Sequence, residues 1–257
     1  MLLINVLNMK KISLSIITVV KNDEKNIQKT INSVLMQKRR DFEYIIVDGK
    51  STDNTLKKIL KYKNKINKLI SQNDKGIYDA MNKGLKYAKG EIIVFCNSGD
   101  FFYKNSLKRI VYLFNKFNYD FVFGTVVRNY TKSKIIKYGF NFQRILYNFD
   151  FATSHTTGFF LKRKIYKKIG NYNTNFTISA DYDLYFRLYK AKCFGGFTKK
   201  NIKIGNVASG GFSSRKSFFK HLVEEAEIRL HNKQSFFMVM IIFLNSILKN
   251  PLKFFND

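Results

Sequence analysis

The sequence lacks the cysteine and histidine patterns on which disulfide-bonded and zinc-binding domains depend. Its 257 residues contain two cysteines and three histidines. Cys96 and Cys193 lie far apart, without CxxC spacing, and no HxxxH pattern is present. This composition argues against a disulfide framework and a zinc site, and it favours a reducing compartment such as the cytosol.

Proline is nearly absent too, since Pro251 is the only one, and no Gly/Ser-rich stretch or internal repeat divides the chain. We therefore expect no flexible linker between independent domains. The apolar segment 1–7 is followed, not preceded, by Lys10 and Lys11, which is the wrong order for a signal peptide. One large domain with a helical tail fits the length, and we expect a cytoplasmic protein.

Acidic residues are scarce, because 18 Asp and Glu face 46 Lys and Arg and leave a net charge of +28. Such a charge attracts nucleic acid, anionic lipid head groups and phosphate-bearing substrates without choosing among them. A basic nucleic-acid-binding module is one interpretation, since aromatic side chains among the lysines could stack on bases. No helix-turn-helix, zinc-finger or RNP-like pattern accompanies the charge, so we expect no nucleic-acid partner.

Apolar, β-branched segments alternate with segments of helical periodicity along most of the chain. This alternation predicts an α/β domain over residues 10–212, with a Rossmann-like, mostly parallel mixed sheet that helices cover on both faces. Residues 213–257 are expected to form a helical tail. The strands are predicted at 12–20, 42–48, 68–71, 91–100, 120–127 and 156–162.

Carboxylates end two of these predicted strands. Asp48 closes the second strand, and Asp100 follows the fourth after a turn of small polar residues. Ligands of open α/β sheets bind at the carboxyl ends of the strands, so both carboxylates indicate a ligand site. Asp53, Asp79 and Asp183 are more typical of turns and helix starts.

Several segments together resemble the inverting glycosyltransferases of family 2, which have the GT-A fold. The resemblance covers residues 12–190, and the segments follow the order and spacing of that family. Two of them look most like the subgroup that builds bacterial surface polysaccharides such as colanic acid. The matching segments are LSIITVVKN (14–22), IVDGKSTDNT (46–55), GIYDAMNKG (76–84), NSGD (97–100) and SADYDL (179–184).

The resemblance implies transfer of a sugar from a nucleotide-diphosphate sugar to a hydroxyl of a glycan or lipid-linked acceptor. Asp100 matches the last acid of the family's DxD element, which holds Mn²⁺ or Mg²⁺ against the donor diphosphate, and oxygen ligands suit either ion. Asp48 matches the acid that lines the nucleotide-base pocket, and Thr18 and Lys75 are further expected donor-binding residues. Asp181 matches the catalytic base, which takes the proton of the acceptor hydroxyl.

The chain departs from the family pattern at three places. Gly49 stands where many relatives have a second acid, and Ser98 and Gly99 stand where they have acids of the DxD element. Ala180 precedes Asp181 where a glutamate is frequent. These departures affect recognition of the nucleotide base and the number of protein ligands available to a metal ion.

His155 and Asp183 are candidates for the acceptor site. His155 lies in a polar loop, where an ordinary loop histidine is the alternative. We expect Ser179 to cap the helix that starts near Asp181, and Asp183 to point to another side of that helix, which favours Asp181 as the base. A sugar nucleotidyltransferase is a further alternative, but its Gly-rich loop after the first strand is absent.

The tail contains two predicted helices. Residues 217–231 carry an apolar stripe that includes Phe219, Leu222 and Leu230, with charged residues opposite. Residues 236–248 are nearly all apolar, which is too short for a span but suits an interfacial helix with basic flanks. We expect peripheral binding at the inner face of the cell membrane. Packing as a core helix and contact with a second subunit are the alternatives, and the oligomeric state stays open.

Overall fold

The computed structural model describes most of the chain. The apolar segment 1–7, on which the signal-peptide argument rests, and the basic and aromatic residues after 251 lie outside the described residues. The described residues are 13–38, 41–130, 133–148, 150–153, 155–211 and 216–251.

Strands and helices alternate along the described residues. The strands are β1 (Leu14–Val20), β2 (Phe42–Asp48), β3 (Lys68–Ser71), β4 (Ile92–Phe95), β5 (Phe101–Phe102), β6 (Phe121–Phe123), β7 (Thr125–Asn129), β8 (Lys134–Lys137), β9 (Phe159–Lys162), β10 (Gly195–Phe197) and β11 (Lys203–Val207). The helices are α1 (Ile27–Leu35), α2 (Thr55–Leu60), α3 (Ile77–Tyr87), α4 (Ser106–Phe117), α5 (Arg163–Ile169), α6 (Ala180–Lys190), α7 (Phe218–His231) and α8 (Phe236–Lys249).

A seven-stranded sheet forms the centre of the fold, in the order β10-β6-β9-β4-β1-β2-β3. Neighbouring strands run parallel except at β9, which is antiparallel to both β4 and β6. β1 is buried along its whole length, which explains its continuous apolar sequence, since a parallel strand between two helical layers meets water on neither face. The predicted α/β class with a mostly parallel mixed sheet is confirmed.

Helices cover both faces of the large sheet and create two hydrophobic cores. Successive residues of β1 feed opposite cores, because Ile16 packs in one and Ile17 in the other. α1, α2 and α4 close the first core, for example through Ile31. α3, α5, α6 and α7 close the second, for example through Met81 and Leu184. Both cores hold β1 and β4 rigidly, so the loops that follow these strands have fixed starting points.

A second, four-stranded sheet has the order β5-β11-β7-β8. One of its strands comes from a segment that was expected to form a single strand. The segment 120–127 is divided at Gly124 into β6, in the large sheet, and β7, in the small one. Gly124 donates its N–H to the Gly158 carbonyl over 2.6 Å, and a Cβ at Gly124 would lie 2.8 Å from Cγ1 of Ile204. The prediction of one continuous strand is wrong because the chain changes sheets at a glycine that permits this close approach.

The strand predicted at 156–162 is shorter than expected. Thr156–Gly158 form a 3-10 turn, and β9 starts at Phe159. His155 precedes the turn, and its Nδ1 accepts a long hydrogen bond of 3.4 Å from the Thr157 N–H. The turn fixes the backbone at His155 directly before β9.

α7 buries only part of the face that its apolar residues predict. Leu222, from the predicted stripe, is buried together with Ile228, but Glu224 and Arg229 are buried too, and Phe219 and Leu230 are 44 % and 42 % exposed. The predicted stripe is therefore buried only in part, because Glu224, which accepts hydrogen bonds from the main domain, and Arg229, which donates one to it, take up part of the buried face.

α7 packs as part of the main domain. Asn232, directly after the helix, donates to Asp183 of α6 over 2.9 Å, and Arg229 donates to the Ile145 carbonyl over 2.9 Å. Ile228 belongs to the same core as α3 and α6. The boundary expected at residues 212 and 213 stays a prediction, but it does not separate α7 from this core.

α8 has a buried side and an exposed apolar side. Val239 and Ile242 are buried and the helix packs against α7, whereas Phe237 and Leu248 are each 78 % exposed. The helix has 14 residues, fewer than the roughly 20 that cross a bilayer. Within the described residues, no helix combines the length and apolar character needed for a membrane span.

Candidate active site

A cavity of about 750 Å³ opens at the carboxyl ends of β1 and β4. This is the edge at which open α/β sheets bind ligands, and the volume lies within the range of about 300–1,000 Å³ that is usual for ligand pockets. Loops from both sheets and the first turns of two helices meet there. The wall includes residues 19–23, 76–78, 97–100, 178–179, 181–182 and 207–211, together with Asp74, Arg128, His155 and His221.

Asp100 lies on the wall of this cavity and is only 4 % exposed. Its Oδ2 accepts from the Thr157 hydroxyl over 2.6 Å, its Oδ1 accepts from the Ala208 N–H over 3.0 Å, and His155 Nδ1 lies 3.7 Å from Oδ2. Burial raises the pKa of Asp100, whereas His155 and these two hydrogen bonds lower it. The carboxylate is therefore held in one orientation, and each oxygen keeps lone pairs for a further partner.

The turn that carries Asp100 is fixed by a residue that sequence analysis missed. The buried hydroxyl of Thr30, on α1, accepts from the Gly99 N–H over 3.0 Å and donates to the Asp100 carbonyl over 2.7 Å. Gly99 has φ +94°, a conformation that side chains other than glycine rarely adopt. The replacement of a family acid by Gly99 is thus part of how this turn is built.

Asp181 also lines the cavity, in the first turn of α6. The Tyr78 hydroxyl lies 3.1 Å from Asp181 Oδ1 and 2.8 Å from the Ile178 carbonyl, and the Tyr182 N–H donates to the same Oδ1 over 3.2 Å. Burial raises the pKa of Asp181 to about 6, against the lowering effect of these hydrogen bonds. A carboxylate with this pKa is ionised at neutral pH and is more basic than an ordinary aspartate, as a general base requires.

The structure corrects the expected helix cap beside Asp181. Ser179 occupies the N-cap position of α6, but its side chain makes no capping hydrogen bond. The backbone N–H groups of Thr177, Ile178 and Ser179 instead donate to the carboxylate of Glu224 from α7. The cap prediction is wrong because the Ser179 side chain makes no capping bond; Glu224, which is distant in sequence, instead binds the backbone of the loop that leads into the helix.

Thr18 and Asp183 do not line the cavity, which differs from the sequence-based expectation. The Thr18 hydroxyl is fully buried, donates to the Cys96 carbonyl over 2.7 Å and lies 3.0 Å from the Tyr44 hydroxyl. Asp183 is also fully buried, and its oxygens pair with Arg187 and Asn232. Two positions after Asp181 on a helix, Asp183 faces the protein interior, where its role is to join α6 to α7.

Asp48 and Lys75 are not part of the cavity wall. Asp48 is fully buried and accepts from the hydroxyls of Ser51 and Ser71. Lys75 is exposed, and its N–H donates to Asp79. Their contribution to nucleotide binding stays a prediction, and in this arrangement Asp48 would act by shaping the loop that follows β2.

Gly49 explains the missing second acid after β2. A Cβ at this position would lie 2.1 Å from Oδ2 of Asp74. The absence of a side chain therefore lets the Asp74 carboxylate, which lines the cavity, lie against the end of β2. The Asp74 carboxylate, from the loop after β3, thus lies where a side chain at residue 49 would be. The spacing of residues along the chain does not reveal this arrangement.

Asn97, Asp23 and Arg128 are cavity residues that sequence analysis also missed. Asn97 Oδ1 is buried without a hydrogen-bond partner among the described residues. Asp23, in the loop after β1, accepts from the Ser98 hydroxyl over 2.6 Å. Arg128 comes from β7 and lowers the pKa of both Asp100 and His155. Asn97 belongs to a quoted motif and Asp23 adjoins another, whereas no sequence signal marks Arg128.

The residues around Asp100 fit a hard divalent cation. The Asp100 carboxylate and the unpartnered Asn97 Oδ1 come from one turn and offer oxygen atoms, which Mg²⁺ and Mn²⁺ prefer. No group of three or more His, Cys, Asp or Glu residues suited to a metal occurs in the described part of the chain. A cation here would need most of its ligands from a diphosphate and from water, as is usual for Mg²⁺ at nucleotide sites.

Comparison with known proteins gives one family match and several relatives. Residues 15–222 match the model of glycosyl transferase family 2. A PGL/p-HBAD biosynthesis glycosyltransferase of Mycobacterium tuberculosis is 28% identical over 166 residues, which are 62% of each chain. An Escherichia coli UDP-Glc:α-D-GlcNAc-diphosphoundecaprenol β-1,3-glucosyltransferase is 36% identical over 104 residues, which are 40% of this chain and 41% of that enzyme. The chain therefore spans less than two thirds of the length of these relatives.

Solved structures agree on the fold. The Staphylococcus aureus TarS fragment 1–349 in complex with UDP-GlcNAc superposes with a TM-score of 0.69 at 20% identity, over 92% of this chain and 73% of that one. A mannosyltransferase from Pyrobaculum calidifontis, solved with GDP-Man and Mn²⁺, gives a TM-score of 0.58 at 15% identity, over 85% and 62%. Neighbours of this fold thus bind nucleotide sugars and, in some cases, a divalent cation. Because the family match covers most of the chain, the protein belongs to glycosyl transferase family 2.

Proposed function

We propose that the protein is an inverting glycosyltransferase that moves a sugar from a nucleotide-diphosphate sugar to a hydroxyl of a glycan or lipid-linked acceptor in surface polysaccharide biosynthesis. The observation that carries this proposal is the pair Asp100 and Asp181 on the wall of one cavity at the carboxyl edge of the sheet. The Asp100 carboxylate can bind the cation that accompanies the donor diphosphate, and the Asp181 carboxylate can remove a proton from the acceptor hydroxyl.

Asp181 acts as the general base in this proposal. Its ionised carboxylate accepts the proton of the acceptor hydroxyl while that oxygen attacks the anomeric carbon. The bond from the anomeric carbon to the diphosphate oxygen breaks from the opposite side, and its electron pair leaves with the nucleoside diphosphate. Attack opposite the leaving group inverts the anomeric configuration. Tyr78 supports this step by holding Asp181 Oδ1.

Asp100 and Asn97 hold the donor side in this proposal. They would bind Mn²⁺ or Mg²⁺, which when bound neutralises the charge of the diphosphate leaving group. Because the cavity already buries Asp100, the charge of this carboxylate acts in a low-dielectric environment, where it is stronger than in water. Asp74, Asp48 and Lys75 are the proposed residues around the nucleotide.

His155 is proposed for the acceptor side, together with Arg128. Both lie on the cavity wall near Asp100. The Escherichia coli relative is named for a diphosphate-linked lipid acceptor, and TarS is named as a poly(ribitol-phosphate) β-N-acetylglucosaminyltransferase. A basic side chain such as Arg128 suits an acceptor of that kind, because a guanidinium binds phosphate oxygens well.

Peripheral binding at the inner face of the cell membrane is part of the proposal, with α8 as the contact. Phe237, Ile241, Leu244 and Leu248 form one stripe and are each more than half exposed. A basic residue near an anionic bilayer contributes about 1 kcal/mol, and a buried large apolar side chain contributes about 1.5–3 kcal/mol. Because the chain has a net charge of +28, two copies repel each other, whereas an anionic bilayer attracts the chain. These contributions therefore favour a bilayer over a second copy as the partner of α8.

A donor screen tests the proposed activity. UDP-glucose and UDP-N-acetylglucosamine are offered with an N-acetylglucosaminyl diphosphate on a short alkyl chain or with poly(ribitol phosphate), and UDP release is measured with and without Mn²⁺. We expect cation-dependent release that Asp181→Asn abolishes. Absence of release with every pair, together with metal-independent and salt-sensitive binding of arbitrary oligonucleotides, would instead support the basic nucleic-acid-binding interpretation.

A further inference from the structure

Glu224 places a buried carboxylate next to the loop that precedes Asp181. It lies on α7 and is 8 % exposed. Its Oε2 accepts from the Thr177 N–H over 2.8 Å and from the Thr177 hydroxyl over 3.2 Å. Its Oε1 accepts from the N–H groups of Ile178 over 2.8 Å and of Ser179 over 2.6 Å. One carboxylate thus binds three successive residues of the loop.

The three residues bound by Glu224 lead directly into the first turn of α6. Ser179 does not cap this helix with its own side chain, so the approach of the loop is not set locally. The only separation between Ser179 and Asp181 is one helical residue, Ala180, which is fully buried. Because Ala180 is buried and already part of α6, a shift of the loop is expected to shift the first turn of the helix and the Asp181 carboxylate with it.

The bonds to Glu224 are neutral donors to a charged acceptor, which is a strong and directional type of hydrogen bond. None of the ion pairs formed among the described residues includes Glu224. Burial of a carboxylate is unfavourable unless hydrogen bonds satisfy it. The buried charge of Glu224 therefore destabilises the protein unless the loop donates these hydrogen bonds. As a result, Glu224 favours this one conformation of the loop.

We propose that Glu224 is a positioning residue for the catalytic base, which fixes the loop 177–179 so that the Asp181 carboxylate faces the acceptor side of the cavity. This inference rests on the proposed role of Asp181. It also gives α7 a function, because a helix outside the quoted sequence motifs then completes the active site.

The charge of Glu224 has a second, smaller effect on Asp181. Burial is the main cause of the raised pKa of Asp181, and the negative charge of Glu224 raises it further. The other ionisable groups that interact with Asp181 are Tyr78, Tyr172 and Tyr185, which are neutral near pH 7. Removal of the Glu224 charge alone should therefore lower the pKa of Asp181.

Two substitutions distinguish the effect of the position of the Glu224 carboxylate from the effect of its charge. Glu224→Gln keeps the length of the side chain and removes its charge, whereas Glu224→Asp keeps the charge and shortens the reach to the loop. Glu227→Gln removes the same charge from an exposed position of α7 and is the matched control. All are made in the full chain. The readouts are amide hydrogen exchange at 177–179, the ¹³C carboxyl titration of Asp181, and turnover of UDP-N-acetylglucosamine with water as acceptor.

For Glu224→Gln we expect amide exchange at 177–179 to become at least about tenfold faster, as for a segment that opens locally. The pKa of Asp181 falls, and turnover falls by about 10²-fold, the scale of a misplacement of about 1 Å, with UDP affinity unchanged. Glu224→Asp shows the faster exchange and the loss of turnover, but no fall in the pKa of Asp181. Glu227→Gln behaves as the wild type.

Unchanged exchange at 177–179 and an unchanged Asp181 titration in folded Glu224→Gln protein would overturn the proposal. If Glu224→Gln does not fold, Glu224→Asp decides through the same exchange measurement. Failure of the proposed function gives a different result, since the wild type would then release no UDP whatever the exchange of the loop. Failure of the base assignment alone would leave turnover in Asp181→Asn. Loss of UDP affinity in parallel with turnover would also contradict a role confined to the base.

Discussion

The pH dependence of turnover should follow the ionisation of Asp181. Burial raises the pKa of this carboxyl to about 6, and the base is active only when ionised. Turnover is therefore complete above this value and is lost as the pH falls through it. About 90% of Asp181 is ionised at pH 7, but only about 10% at pH 5, whereas an aspartate with an ordinary pKa near 3.9 would remain more than 90% ionised at pH 5.

Tyr78→Phe changes this profile in a direction that the geometry fixes. The Tyr78 hydroxyl stabilises the ionised form of Asp181 through the contact of 3.1 Å, and this bond lowers the pKa of Asp181. A hydrogen bond to a charged group contributes about 1.5–3 kcal/mol, and one pH unit corresponds to about 1.4 kcal/mol. Tyr78 also contacts the Ile178 carbonyl, so we take the lower limit of this energy range. We expect the acid limb of the pH profile of turnover to move to higher pH by about one unit.

The assay is the initial rate of UDP release at saturating donor, from about pH 4.5 to 8.5 at constant ionic strength. Protein returned from each pH to neutral pH must recover its activity, which separates titration from unfolding. An acid limb near pH 4 in the wild type would refute the account of Asp181. A limb that stays in place or moves to lower pH in Tyr78→Phe would refute the role of the hydroxyl.

Two further predictions concern the cation and the membrane. Asp100→Asn should weaken the Mn²⁺-dependent part of UDP affinity by at least about tenfold, because even loss of an outer-shell partner has this effect. Calorimetry with and without Mn²⁺ measures it, Asp150→Asn, at an exposed position outside the cavity wall, is the control, and unaltered Mn²⁺ dependence would contradict the assignment. Phe237→Ser should lower partition onto anionic liposomes by about tenfold, because one large apolar side chain no longer inserts. Met36→Ser, at a similarly exposed site at the end of α1, should not change co-sedimentation, and equal partition of both variants would remove α8 from this role.

The sequence predicted the first half of the fold well because its elements are determined locally. β2 and β3 have the predicted bounds, whereas the strand predicted at 91–100 is limited to β4, Ile92–Phe95. A continuous β-branched run such as β1 forms a strand that is buried between two helical layers. The division at Gly124 was not predictable, because it depends on the approach of Ile204, a residue far along the chain.

The candidate site was predicted in part for the same reason. Asp100 and Asp181 follow recognisable motifs, and both line the cavity. Thr18 lies on a strand that borders the cavity, but its side chain points into the core and donates to the Cys96 carbonyl. Glu224 and Asp74 act through contacts across the fold, with the loop 177–179 and with the space left by Gly49. Such contacts leave no periodic or spacing signal in one sequence.

The most direct test of the account compares turnover in Asp181→Asn and Asp183→Asn, with UDP affinity measured for both. In Asp181→Asn the new amide keeps the shape of the side chain but accepts no proton, so turnover should fall by about 10²–10⁴-fold while UDP affinity stays within about twofold of the wild type. Asp183→Asn should mainly reduce stability, because Arg187 loses its buried partner. Full turnover in Asp181→Asn, or a loss confined to folded Asp183→Asn, would contradict the assignment of the catalytic base.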